Sequence, residues 1–160
     1  MIPIEVLGTP APKGSNRAMM RRGSAVFVPG GSRVNQDKLM SWDVAVRAAA
    51  IKRIGRVNAP PFVGVPLVVA ITFRMRRPVS HYSKKTKQLL PSVVDSQPAT
   101  TPDIDKLTRS TLDSLTRIVY DDDARIVEAH VRKVYAAPNN EGASITVAAW
   151  APSIQATARR

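Results

Sequence analysis

Two short runs of carboxylates carry the chemistry that the residue types allow: Thr101-Pro102-Asp103-Ile104-Asp105, and Tyr120-Asp121-Asp122-Asp123. Three carboxylates drawn within a few ångströms repel one another unless a divalent cation neutralises them, and hard oxygen donors favour Mg²⁺ or Mn²⁺. The chain has no cysteine, so thiolate metal sites are excluded and any ion must rely on oxygen ligands or the two histidines. Ions of this kind suit phosphodiester hydrolysis, where one activates water, another stabilises the leaving oxygen, and a pair about 4 Å apart clamps both ends of an in-line displacement.

Each residue has a plainer reading as well. Asp103 and Asp105 sit where loop becomes helix, so both can reach one ion, but an Asp there also serves as an N-cap and complements the helix dipole. Asp122 and Asp123 open the strand after that helix, and a tight turn would aim them back; whether they meet Asp103 depends on the sheet. Arg109 lies four residues past Asp105 on the same helix face, placed either to hold a phosphate or to form an ordinary i,i+4 ion pair.

The elements that position these groups are read from hydrophobic period and breakers. Ile2–Leu7 is expected as a strand ending in the basic loop Gly8–Arg17, and Ala25–Val28 as a short strand before Pro29-Gly30-Gly31. Val34–Ile54 is expected as a helix, with Leu39, Trp42, Val46, Ala49 and Ala50 inward and Gly55 closing it. Pro66–Met75 is β-branched and apolar, a buried strand. Residues 79–99 read as a flexible insertion with a single helix near Lys84–Leu90. A second amphipathic helix spans Ile104–Arg117, with Leu107, Thr111, Leu112, Leu115 and Ile118 inward. Ala124–Tyr135 and Ser144–Trp150 then read as two strands of a hairpin turned at Pro138–Gly142, and residues 151–160 as a frayed tail. The order β-β-α-β-α-β-β predicts an α+β (mixed α/β) domain over residues 1–150, two main helices packed on one mixed sheet.

Charge is segregated along the chain. The 160 residues carry a formal charge of +12, yet residues 95–128 hold eight of the 12 acids against four bases and are net −4. The rest is strongly basic, which fits a polyanionic partner, because each Lys or Arg that neutralises a phosphate releases condensed counterions. Lys13, Arg17, Arg21 and Arg22 in the N-terminal loop are the leading candidates for DNA-backbone contact, a solvated basic loop being the alternative. The longest apolar stretch, Phe62–Phe73, is shorter than the roughly 18–20 residues that span a bilayer and contains Pro66, so no membrane association is expected. The N-terminus has no signal-peptide pattern, and a cytoplasmic location is expected.

Other motifs fail. Asp121-Asp122-Asp123-Ala124-Arg125 puts Arg where a calcium loop needs an oxygen ligand, and Lys13-Gly14-Ser15 lacks the glycine spacing of a P-loop. His81 and His130 have no metal-ligand spacing.

The residues Asp103-Ile104-Asp105-Lys106-Leu107, Leu112-Asp113-Ser114-Leu115, Asp122-Asp123-Ala124-Arg125-Ile126 and Lys133 resemble the RusA-type Holliday junction resolvases, phage- and prophage-borne crossover junction endodeoxyribonucleases. Pro10-Ala11-Pro12-Lys13-Gly14-Ser15-Asn16-Arg17 is similar to that family's Pro-rich basic loop, whereas residues 79–99 have no counterpart in the pattern. The resemblance implies a homodimeric, Mg²⁺-dependent enzyme of DNA recombination and repair that makes paired nicks in four-way junctions. It implies Asp103, Asp105 and Asp123 as metal-binding carboxylates, with Asp122 beside them. Arg109 stands in the place of the family's usual catalytic Lys, and a guanidinium favours electrostatic stabilisation over proton donation. Lys106 and Arg125 replace a common Asn and Gln, adding positive charge for phosphate, and Lys133 matches the family's strand lysine as a DNA-backbone contact. Two readings compete with the resolvase: a nuclease acting on forks or flaps, and a non-catalytic basic DNA-binding protein whose acids only cap and pair.

Overall fold

The computed structural model describes residues 1–14, 17–21, 24–28, 32–56 and 59–151, those at 17–21 and 24–28 by backbone alone. The turn expected at Pro29-Gly30-Gly31, Arg22 and the tail beyond residue 151 lie outside the described residues. The elements in chain order are β1 (Ile2–Leu7), β2 (Arg17–Arg21), β3 (Ser24–Val28), α1 (Arg33–Ile54), β4 (Leu67–Met75), α2 (Ile104–Leu115), β5 (Ile126–Tyr135) and β6 (Gly142–Ala149), an α+β fold.

Strands β1, β6, β4 and β5 form one mixed sheet in that order, and β2 pairs with β3 as a separate antiparallel ribbon. Arg17 and Arg21 therefore belong to a strand and not to a loop, a correction to the sequence reading. The expected β5–β6 hairpin is also absent. β4 lies between them, parallel to β5 and antiparallel to β6. Residues 136–141 pass over the end of β4, bridging two inter-strand spacings of about 4.8 Å, a span well within reach of six residues. The parallel β4–β5 pair demands a long crossover, and α2 lies within it.

Alternation along β4 puts Leu67, Val69, Ile71, Phe73 and Met75 on the helix-covered face. They pack with Ile4 and Val6 of β1, Ile145 and Val147 of β6, Trp42, Val46 and Ala50 of α1, and Leu107 and Leu115 of α2. The two helices are joined by polar contacts: in the core the Trp42 indole donates to Thr111 Oγ1 at 3.1 Å, and nearer the surface Ser114 donates to Asp43 at 2.6 Å. Gly55 takes the left-handed conformation at φ 74° that ends α1. α2 stops at Leu115, two residues before the expected end, and the Tyr120 hydroxyl donates to the carbonyl of Leu112 at 2.8 Å.

No helix forms at Lys84–Leu90. Residues 84–86 turn within a bridge between Tyr82 and Leu89, flanked by short 3₁₀ turns at Val79–His81 and Pro91–Val93. Three lysines within four positions (84, 85 and 87) oppose a lone helical turn electrostatically. The segment is anchored by Arg77, whose guanidinium donates to the carbonyls of Val93 (2.8 Å) and Val94 (3.0 Å) and lies 4.6 Å from the ring centroid of Tyr135. Among the described residues, no helix is long and apolar enough to cross a membrane.

Candidate nuclease site

The head of α2 is set by what holds the loop before it. Lys133 on β5 points to the helix side and donates from Nζ to the carbonyls of Thr100 (2.9 Å) and Pro102 (3.0 Å). This lysine ties down the backbone that delivers Asp103, which is a use other than the DNA contact its position implied. Asp103 occupies the N-cap position with extended backbone but makes no side-chain cap bond. Its carboxylate instead lies 2.7 Å from Lys106 Nζ. The hydrogen bond and charge of Lys106, with a smaller contribution from Lys133, hold Asp103 below the ordinary carboxylate range, and Asp103 in turn pushes Lys106 up. Asp103 thus stays ionised.

Asp105, in the first turn of the helix and exposed, has no hydrogen-bond or ion-pair partner among the described residues. Arg109 is likewise exposed, and it makes no ion pair with Asp105 among the described residues, so the plain i,i+4 pairing is not what holds it.

The N-terminal loop is stitched against α2. Ser110 donates to the Ala11 carbonyl at 2.7 Å, the Lys13 N–H donates to the Lys106 carbonyl at 3.2 Å, and Lys13 Nζ reaches Asp113 at 2.5 Å. Lys13 is therefore engaged with α2. Between this loop, α1 and the end of β4 opens a cleft of about 680 Å³, with Asp103 as the only acidic wall residue among the described residues and Lys38, Arg76, Arg77, Lys106 and Lys133 around it. Lys38, Arg76 and Arg77 did not emerge from the sequence as site residues. The Arg76-Arg77 pair directly after a buried strand was the one available sign.

The second acidic run sits past the other end of α2. Asp122 accepts from the Ala124 N–H at 2.9 Å, so here the capping reading holds. Asp121 accepts from the Gly64 N–H at 3.3 Å and from Arg125 at 3.4 Å, which engages Arg125 as well. Burial first, then hydrogen bonding with Asp122 and the charges of Asp113 and Asp122, pushes the Asp123 carboxyl above its ordinary value. The carboxylates acting on Asp123 are thus its own neighbour and one near the foot of α2.

Among the described residues, no three of His, Cys, Asp and Glu gather closely enough to hold a metal ion. The chain brings Asp103 and Asp105 together on one side, and Asp122 and Asp123 on the other. The reason lies in the connection: backbone bonds from Phe62 to Val119 and from Asp121 to Phe62 (both 3.2 Å) dock the post-helix segment beside Phe62. A helix of 12 residues is about 18 Å long, so a site joining both ends needs the second run folded back along it. The donor chemistry suits a hard cation; the number of donors at either end does not complete its coordination. The side chains of Arg17 and Arg21, and all of Arg22, lie outside the described residues.

No curated protein matches the sequence. A protein family does, described as endodeoxyribonuclease RusA, over residues 9–148, a span that takes in the N-terminal loop, α1, the cleft, α2 and both acidic runs. With most of its length covered, the chain belongs to the endodeoxyribonuclease RusA family.

Proposed function

We propose that this protein is a divalent-metal-dependent endodeoxyribonuclease that resolves four-way DNA junctions by paired symmetric nicks, acting in recombination and repair in the cytoplasm of a bacterial cell, phage-borne or otherwise. The observation that carries the reading is the family match over residues 9–148, with Asp103 in the wall of a cation-lined cleft and Asp105 two residues further on, in the first turn of α2. Asp103 and Asp105, with Asp123 and Asp122, are the carboxylates proposed to hold Mg²⁺, or Mn²⁺ in its place. In one chain the two pairs stand apart, so each supplies only part of an ion's coordination. What the chain's own residues supply is electrostatic. Exposed Arg109 offers a permanent charge to a phosphate, and Lys106 holds Asp103 ionised until a stronger cation competes for it. Water is the nucleophile, and no covalent intermediate is expected. A homodimer supplies two equivalent sites through its two-fold axis, which matches two cuts in a symmetric junction.

The experiment compares the unaltered protein with Asp103→Asn on an end-labelled four-way junction and a matched linear duplex, with and without Mg²⁺. The expected result is metal-dependent paired nicks in the junction alone, abolished in the variant, with junction affinity kept or increased. Tight binding without cleavage under Mg²⁺ or Mn²⁺ would establish the non-catalytic reading; cuts in forks or flaps alone would change the substrate.

A further inference from the structure

The cations of the cleft divide into two sets. Three are committed within the protein: Lys133 to the Thr100 and Pro102 carbonyls, Lys106 to Asp103, and Arg77 to the Val93 and Val94 carbonyls and the Tyr135 ring. Two are not. Lys38, on the exposed side of α1, has no ion pair or hydrogen bond among the described residues, and Arg76, just past β4, is 79% exposed with a single contact to Glu141 at the outer limit of 4.0 Å. They reach the cleft from different elements, one from a helix and one from the end of the central strand, and among the described residues the one carboxylate lining it is Asp103.

Uncompensated cations lining a cleft concentrate its positive field, and a strand of phosphodiesters is the polyanion that such a field selects. A volume of about 680 Å³ is of the size that takes a small ligand, and so the backbone of one strand rather than a duplex. We propose that Lys38 and Arg76 bind successive phosphates of a single DNA strand in this cleft and so lead that strand to Asp103. They are positioning residues: they touch the substrate backbone away from the scissile bond and read no sequence. The inference rests on the junction-nuclease reading for its substrate, but its test does not depend on cleavage.

The test measures binding of a fluorescent four-way junction in EDTA by anisotropy, between 50 and 200 mM salt, for the unaltered protein, Lys38→Ala, Arg76→Ala, the double variant and Lys52→Ala. Lys52, exposed in the last turn of α1, is 14 residues from Lys38, about 21 Å along the helix, and controls for net charge. Each cleft variant is expected to lower the magnitude of the log–log salt slope by about 0.9 and weaken binding roughly 5–10-fold at 100 mM, with the double variant additive and Lys52→Ala nearly silent. An unchanged slope in the double variant, or an equal loss in Lys52→Ala, overturns the proposal while leaving the nuclease reading intact. Absence of junction binding by the unaltered protein overturns both. Cleavage failure in Mg²⁺ alongside the expected slopes overturns only the nuclease reading.

Discussion

Replacing Lys133 by Met keeps the aliphatic stem and removes the ammonium that grips two backbone carbonyls. Hydrogen bonds from a charged donor contribute about 1.5–3 kcal/mol each when shielded from water. Here the bond to Thr100 is exposed and the bond to Pro102 only partly buried, so the pair together should contribute about 1–2 kcal/mol. In a domain of this size 1 kcal/mol moves Tm by about 2–4 °C, which places the expected loss at roughly 2–8 °C. The assay is thermal melting without DNA, repeated at high salt; bonds to carbonyls respond to salt less than a surface ion pair does. Under the proposed function, cleavage should fall along with stability, because the Thr100–Pro102 backbone no longer presents Asp103 in one place. If Lys133 were instead a DNA-backbone contact, Lys133→Met would leave Tm unchanged and lower the salt slope of junction binding by about one. A Tm within 1 °C of the unaltered protein would refute the anchoring argument.

Gly142→Ala should be strongly destabilising, by about 3 kcal/mol, since a Cβ at that position would press into the carbonyl oxygen of Val6 and force apart the β1–β6 register; urea or thermal unfolding checks it, and a near-neutral result would show that the strands can shift. Asp123→Asn should raise Tm at neutral pH by at most a few degrees. The sign follows from its raised folded pKa: protonated Asp123 adds stability that is complete below the ordinary value of 3.8 and lost as pH rises through the folded value, so the ionised group is a liability at pH 7. Melts at pH 3.5 and pH 7 should show the gain only at the higher pH, and a lower Tm for the variant at pH 7 would contradict it.

Much of the architecture was legible in the residues, because α-helices and half-buried strands impose short periods that a sequence displays directly. The alternation of Leu67 through Met75, the inward stripe Trp42, Val46 and Ala50, and the Gly55 stop all correspond to observed elements. So do the boundaries of β1 and the placement of Asp103 at the head of α2. The errors at the β5–β6 connection and at β2 share one cause: they concern which elements are neighbours. A turn such as Ala136–Glu141 has the same composition whether it joins adjacent strands or steps over a third. The strand at Arg17–Arg21 was hidden because its neighbours are rich in Gly and charge, and its pairing with Ser24–Val28 comes from the partner strand.

Local chemistry was therefore determined by the sequence itself: oxygen donors without thiols, a basic chain interrupted by acidic runs, the amphipathic faces and the RusA-type order of residues. Tertiary structure decided the allocation of each charge. It committed Lys13, Lys106, Lys133 and Arg125 to partners within the protein, left Lys38 and Arg76 facing the cleft, and set the two acidic runs at opposite ends of α2. A side chain's partner is fixed by distances of a few ångströms between segments far apart in the chain, and those distances follow from strand order and helix docking, which no local pattern encodes.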